Sequence, residues 1–166
     1  MKIAAVIGAG RESGKTTTVE ALTKELSARG YRVGTIKQIH EEGFSIDTAE
    51  KDSWRHAEAG AKIVVVAAPR EVAVIKRING SRFEEALQFL AVQELDIILV
   101  EGNPKKEMPK IFAARRPSDV KKLSNTLCIS TLSPDNFRAA DIEIPVLHPL
   151  KDVKKMTDLL RHAMGL

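Results

Sequence analysis

At 166 residues, with 43% hydrophobic and 29% charged positions, the chain is long enough to bury a core unaided and too apolar for intrinsic disorder. Its formal net charge of +4 with only 4% aromatic residues suits phosphorylated small molecules and speaks against a nucleic-acid binder that stacks bases. No apolar run nears the ~20 residues of a membrane span, the first run is cut by Gly8 and Gly10 and does not read as a signal peptide, and the single Cys128 suits a reducing compartment, so a cytoplasmic protein is expected.

Residues 3–7 are continuously apolar, and 2–7 predict a buried strand. Residues 15–29 follow with Val19, Leu22 and Leu26 at helical spacing, and Gly30 stands where a helix-terminating glycine belongs. Residues 31–37 predict the next strand. A polar loop around Gly43 leads to a helix over 51–59, closed by Gly60. Residues 62–68 and 71–78 predict two antiparallel strands turning at Pro69-Arg70. Ser81 with Glu84 three positions on is a capping-box pattern that opens a helix over 81–93. Residues 96–100 form the most apolar strand, ending at Glu101-Gly102. Shorter strands are expected at 110–114, 126–129 and 141–144, and a final helix at 151–164. The alternation predicts an α/β fold: one domain over residues 1–166, a three-layer sandwich of P-loop NTPase type with a mostly parallel central sheet and a β-hairpin.

Chemistry concentrates at the first strand–helix junction. Ser13-Gly14-Lys15-Thr16 supplies the second half of the pattern G-x-x-x-x-G-K-[ST], with strand before and helix after, as phosphate binding requires. The first-glycine position holds Ala9, flanked by Gly8 and Gly10, so that glycine is out of register by one. Small residues let consecutive N–H groups converge on phosphate oxygens, and the helix N-terminus favours anions. Gly10, Arg11, Glu12, Ser13, Gly14, Lys15, Thr16 and Thr17 are the candidate nucleotide-binding residues. Lys15 bridges β- and γ-phosphates and the Thr16 hydroxyl is a magnesium ligand. Glu101, delivered at the end of a central strand, is the second candidate metal group and a catalytic candidate, and Gly102 admits backbone to the γ-phosphate. Lys37 and His40 end the second strand on the same edge.

Several blocks together resemble the molybdopterin-guanine dinucleotide biosynthesis adapter proteins of MobB type. The carriers run from Ile3 to about Arg115: Ser13 to Thr17, Arg29 to Lys37 with His40 and Asp47 beyond, Lys51-Asp52-Ser53-Trp54-Arg55-His56, Ala59-Gly60-Ala61, Leu95 to Gly102, and Pro109-Lys110-Ile111. The chain departs from the family where Asn103-Pro104 precedes Lys105-Lys106 and where Glu50 precedes Lys51. The resemblance implies a homodimer that binds GTP with Mg2+, hydrolyses it weakly, and assists the molybdenum cofactor guanylyltransferase that attaches GMP to molybdopterin, with molybdopterin itself a candidate ligand. Within it, Asp47 or Asp52 orients water at the triphosphate, while His40, Ser53, Arg55, Lys105, Lys106 and Lys110 face partner or pterin. The basic positions Arg115, Arg116, Lys121 and Lys122 extend that surface, or form an ordinary solvated face.

Two other functions compete. A metallochaperone GTPase needs clustered soft or imidazole ligands, against one cysteine and four scattered histidines. A P-loop ligase or kinase of dethiobiotin-synthetase type needs an acceptor pocket. The base is weakly encoded: Asn-Lys-x-Asp is absent, and in the loop 130–135 Asp135 serves either as a guanine acceptor or as a turn residue.

Overall fold

The apolar runs become strands because β-branched side chains pack well on a pleated surface, and parallel strands covered on both faces need them at every position. The computed structural model describes residues 1–102, 107–121 and 124–166. They comprise β1 (Lys2–Gly8), α1 (Lys15–Ala28), β2 (Val33–Lys37), α2 (Asp52–Glu58), β3 (Ile63–Ala67), β4 (Val72–Lys76), α3 (Arg82–Ala91), β5 (Ile97–Glu101), β6 (Lys110–Ala113), β7 (Thr126–Ser130), β8 (Val146–Leu147) and α4 (Val153–Met164).

These residues divide into two compact units, Met1–Gln38 with Ala86–Leu166, and Ile39–Glu85. In the first, a six-stranded sheet runs β2-β5-β1-β6-β7-β8, every neighbouring pair parallel. Leu22 and Leu26 of α1 and Met156 and Leu160 of α4 join Ile97 and Leu99 of β5 in one buried cluster. The alternate residues Ile98 and Val100 are equally buried on the other side, where a Cβ on Gly34 would meet Leu95 at 2.6 Å and Leu90 of α3 at 3.6 Å. The α/β fold with a parallel central sheet is thus as expected, with helix packing on both faces.

The second unit is built on the antiparallel pair β3–β4, with Ile63 opposite Lys76 and Ala67 opposite Val72. Its turn closes through Ala68 N–H to the Glu71 carbonyl at 2.9 Å, at the Pro69-Arg70 position anticipated. Gly30 and Gly60 end α1 and α2 as the sequence predicts. In α1, Tyr31 N–H donates to Leu26 O and Gly30 N–H to Ser27 O; in α2, Ala61 and Gly60 repeat the arrangement on His56 and Ala57.

One expected strand is corrected. Residues 141–144 alternate Asp-Ile-Glu-Ile but join no sheet, and β8 forms at Val146–Leu147 instead. Pro145 explains the shift: it has no N–H to give a ladder, but its carbonyl accepts from Ile129 N–H at 2.8 Å and so starts the pairing.

Candidate functional site

The phosphate loop leaves β1 at Gly8, whose position is sterically closed. A Cβ there would press on Ser13 Oγ and lie 2.7 Å from the Ala113 carbonyl. At Gly10 nothing stands within 4 Å of such a Cβ. The steric demand for the loop's first glycine therefore rests on Gly8, which accounts for the out-of-register pattern. Gly14 takes φ 93°, the left-handed region that glycine enters without strain, and turns the chain into α1. Glu12 takes φ 57° without that freedom, and its carboxylate meets Arg115 at 3.3 Å. Arg11 is exposed.

Inside the loop, Ser13 Oγ donates to the Gly10 carbonyl at 3.2 Å, and Lys15 Nζ donates to the same carbonyl and to Ser13 Oγ at 3.0 Å. The lysine thus folds back over its own loop, where an incoming phosphate would meet it. Thr17 is half-buried at the start of α1.

Parallel pairing aligns the strand ends that complete the edge. Val6 stands beside Glu101, and Glu101 beside Lys37. Thr16 Oγ1 donates to Glu101 Oε1 at 2.9 Å, and Lys37 Nζ lies 3.5 Å from the same oxygen. The Glu101 side chain is only 13% exposed, so its charge is compensated by these two groups. Gly102 takes φ 129°, and a Cβ there would strike the Gln38 side chain at 2.8 Å. Here the structure brings together the predicted Lys15, Thr16, Lys37, Glu101 and Gly102.

Beside the loop opens a cleft of about 770 Å³ lined by Ser13 and Gly14, by Arg115, Arg116 and Asp119 after β6, and by Ser130 to Ser133 and Asn136 after β7. Its floor is tied to the loop through buried hydroxyls. Thr18 Oγ1 bonds Ser130 Oγ at 2.7 Å and donates to the Gly14 carbonyl at 2.8 Å. The sequence offers Thr18 beside Thr17 for phosphate contact or capping and Ser130 in the loop 130–135, but not the bond between them, which depends on how α1 packs on the end of β7.

The other predicted residues fall elsewhere. In the second unit, Ser53 Oγ donates to Asp47 Oδ1 at 2.8 Å, and Asp47 Oδ2 is buried without a partner among the described residues. Asp52 is 93% exposed in the first turn of α2, with Arg55 at 3.9 Å. His40 Nδ1 lies 3.4 Å from Arg82, whose guanidinium also donates to the Ile39 carbonyl. Lys105 and Lys106 lie outside the described residues. Lys110 requires a correction: it is buried, and its ammonium reaches the carbonyls of Met108 at 3.3 Å and Ser124 at 3.4 Å. It stands at the start of β6, whereas Arg115 and Arg116 follow the strand's other end, so the basic positions do not form one line. The reason is sheet register: Lys110 pairs beside Ala5 in the sheet interior.

Burial pushes the Cys128 thiol up to about 12, leaving it a packing residue. Among the described residues no three His, Cys, Asp or Glu gather as a metal cluster, and no helix is long and apolar enough to cross a membrane.

The sheet order, the strand–loop–helix junction and the acid at the end of β5 define a protein of the P-loop class. The pattern of the family "Molybdopterin guanine dinucleotide synthesis protein B" (MobB) matches residues 3–132, and the chain belongs to that family. It is 33% identical over 149 residues to the molybdopterin-guanine dinucleotide biosynthesis adapter protein of Escherichia coli, covering 84% of each chain. It is 38% identical over 108 residues to the like-named protein of Haemophilus influenzae, covering 63% of this chain and 58% of that one. Among solved structures, the MobB of Bacillus subtilis superposes with a TM-score of 0.73 at 27% identity, covering 99% of this chain and 98% of that one. The MobB homolog of Bacillus stearothermophilus gives 0.73 at 23% identity over the whole of both chains.

Proposed function

We propose that this chain is a GTP-binding adapter in molybdopterin guanine dinucleotide synthesis, acting beside the molybdenum cofactor guanylyltransferase. The observation that carries the nucleotide reading is the convergence of Lys15, Thr16, Lys37 and Glu101 on one sheet edge. Two cations and a run of loop N–H groups suit a triphosphate. The Thr16 hydroxyl and Glu101 carboxylate are hard oxygen donors of the kind Mg2+ takes, and the ion would neutralise phosphate charge. Lys15 and the loop hold the β- and γ-phosphates, Thr16 and Glu101 orient what lies between them, and Lys37 sets the carboxylate. Slow hydrolysis is expected.

Membership of the family supports the adapter role, and the names of its relatives supply the pathway. The ligand-poor distribution of His and Cys lends nothing to a metallochaperone. A homodimer fits the exposed apolar side chains of β3 and β4, since a two-stranded ribbon is marginal by itself. We further propose that the two units serve one cytoplasmic nucleotide-binding domain.

Calorimetric titration with GTP and ATP, each with magnesium, tests the site. Wild type is expected to bind GTP in the micromolar range, and Lys15→Ala to weaken it by at least about a hundred-fold, beyond detection. Equal binding by both proteins sinks the phosphate-loop reading. Co-purification with the guanylyltransferase, and stimulation of its product, test the adapter role separately; neither occurring would refute it.

A further inference from the structure

A triphosphate is held by its phosphates alone at the loop, so any choice of base has to come from the adjoining cleft. Asp119 is the carboxylate that lines this cleft along the wall after β6. It sits in the short 3-10 turn Pro117–Asp119, and its side chain is 20% exposed. Oδ2 accepts the Arg116 backbone N–H at 3.0 Å, and Oδ1 lies 3.3 Å from the Arg116 guanidinium. A carboxylate accepts about four hydrogen bonds, so these two, with a weaker approach from the Arg115 backbone N–H, leave part of its capacity open.

The charge state is settled by the same neighbours. Burial pushes the Asp119 carboxyl up, but the Arg116 N–H, the Arg116 charge and the Arg115 N–H together outweigh it and hold the group below the ordinary carboxylate range. At neutral pH Asp119 is an acceptor only. Asp135, the acid that the sequence offers for the same task, is 79% exposed, pairs with Arg138 at 2.6 Å and does not line the cleft.

An acceptor-only group sorts the purines by their Watson–Crick edges. Guanine presents two adjacent donors, N1–H and the 2-amino group, which match the two oxygens of a carboxylate. Adenine presents a lone pair at N1, which a carboxylate repels. Xanthine keeps N1–H but replaces the 2-amino group by a carbonyl. We propose that Asp119 is the residue that specifies guanine, accepting from N1–H and the 2-amino group of a nucleotide whose triphosphate lies on the phosphate loop. The proposal rests on the triphosphate reading above and adds to it the identity of the base-reading side chain.

The test uses the full chain and four triphosphates, GTP, ITP, XTP and ATP, with magnesium, against wild type, Asp119→Asn and Lys15→Ala. Asparagine keeps an oxygen for the Arg116 N–H, so the turn survives, but it puts a donor where guanine also has one. Wild type is expected to prefer GTP over XTP and ATP by on the order of a hundred-fold or more, with ITP between. Asp119→Asn should lose GTP affinity by a similar factor and gain XTP affinity, inverting the order, whereas Lys15→Ala loses every triphosphate. The gain for XTP is the decisive readout, because damage to the turn cannot produce it. Unchanged GTP binding by Asp119→Asn, or parallel loss of GTP and XTP, overturns the proposal. Wild type binding GTP and ATP alike, with Lys15→Ala abolishing both, also overturns it while leaving the phosphate loop intact. Wild type binding no triphosphate removes the loop reading and Asp119's role together.

Discussion

β5 and β3 are written in nearly the same alphabet, Ile-Ile-Leu-Val-Glu against Ile-Val-Val-Val-Ala, yet they meet opposite surroundings. Ile97 to Val100 are wholly buried, flanked by β1 and β2 and packed on both faces. In β3, Ile63 is 49% and Val65 59% exposed, and in β4 across from it Val72 is 67% exposed. Apolar composition sets the tendency to form a strand; the layers packed over its two faces decide whether those faces are dry. The exposed ribbon leaves apolar side chains uncovered, and the buried strand carries the acid of the candidate site.

Substitution can break that comparison. Leu99→Ala, in the dry strand, is expected to cost about 2–5 kcal/mol in denaturant unfolding, while Val65→Ala should stay within about 0.5 kcal/mol at high dilution. In sedimentation at high concentration, Val65→Asp should shift a dimer toward monomer. Equal stability losses at Leu99 and Val65 would show the ribbon to be part of a core. A second contrast lies inside the phosphate loop. Gly8→Ala forces a methyl onto the Ala113 carbonyl and should cost about 1–3 kcal/mol and impair GTP binding, whereas Gly10→Ala should leave stability unchanged.

The smallest effect concerns the rim of the sheet. The Arg32 side chain, then its backbone N–H, donates to Asp96 and holds that carboxyl below its ordinary range against the opposing effect of burial. A depressed carboxyl stabilises above its unfolded value of about 3.9 and loses that stabilisation as pH falls through the folded value. Asp96→Asn should therefore lower the thermal midpoint slightly at pH 7, and the difference from wild type should close below about pH 3. A constant gap down to that pH would assign the effect to packing.

Much of the fold is legible because its signals are local. The glycines after α1 and α2 sit where left-handed ends require them, and the run Ile97 to Val100 has no polar break. What is lost is whatever depends on register. Pro145 displaces a strand that alternation alone puts at 141–144. Lys110 reads as surface by type, but pairing beside Ala5 carries it inside. The loop residues Lys15 and Thr16 announce themselves by motif, whereas Asp119 follows Arg115-Arg116-Pro117-Ser118 like any turn acid. Its relevance appears only when β6 and β7 set their ends side by side.

The strand order has a consequence during synthesis. β1, which carries the phosphate loop, has as sheet partners only β5 and β6, and the Lys2 to Ile97 pairing spans about 95 residues of chain. At a translation rate of roughly 5–20 residues per second, those partners leave the ribosome on the order of 5–20 s after β1. Through that interval the Lys15 loop has no sheet to hold it and Thr16 has no Glu101. A nascent chain therefore cannot complete this sheet edge early, and the loop, Thr16 and Glu101 come together only once β5 has emerged.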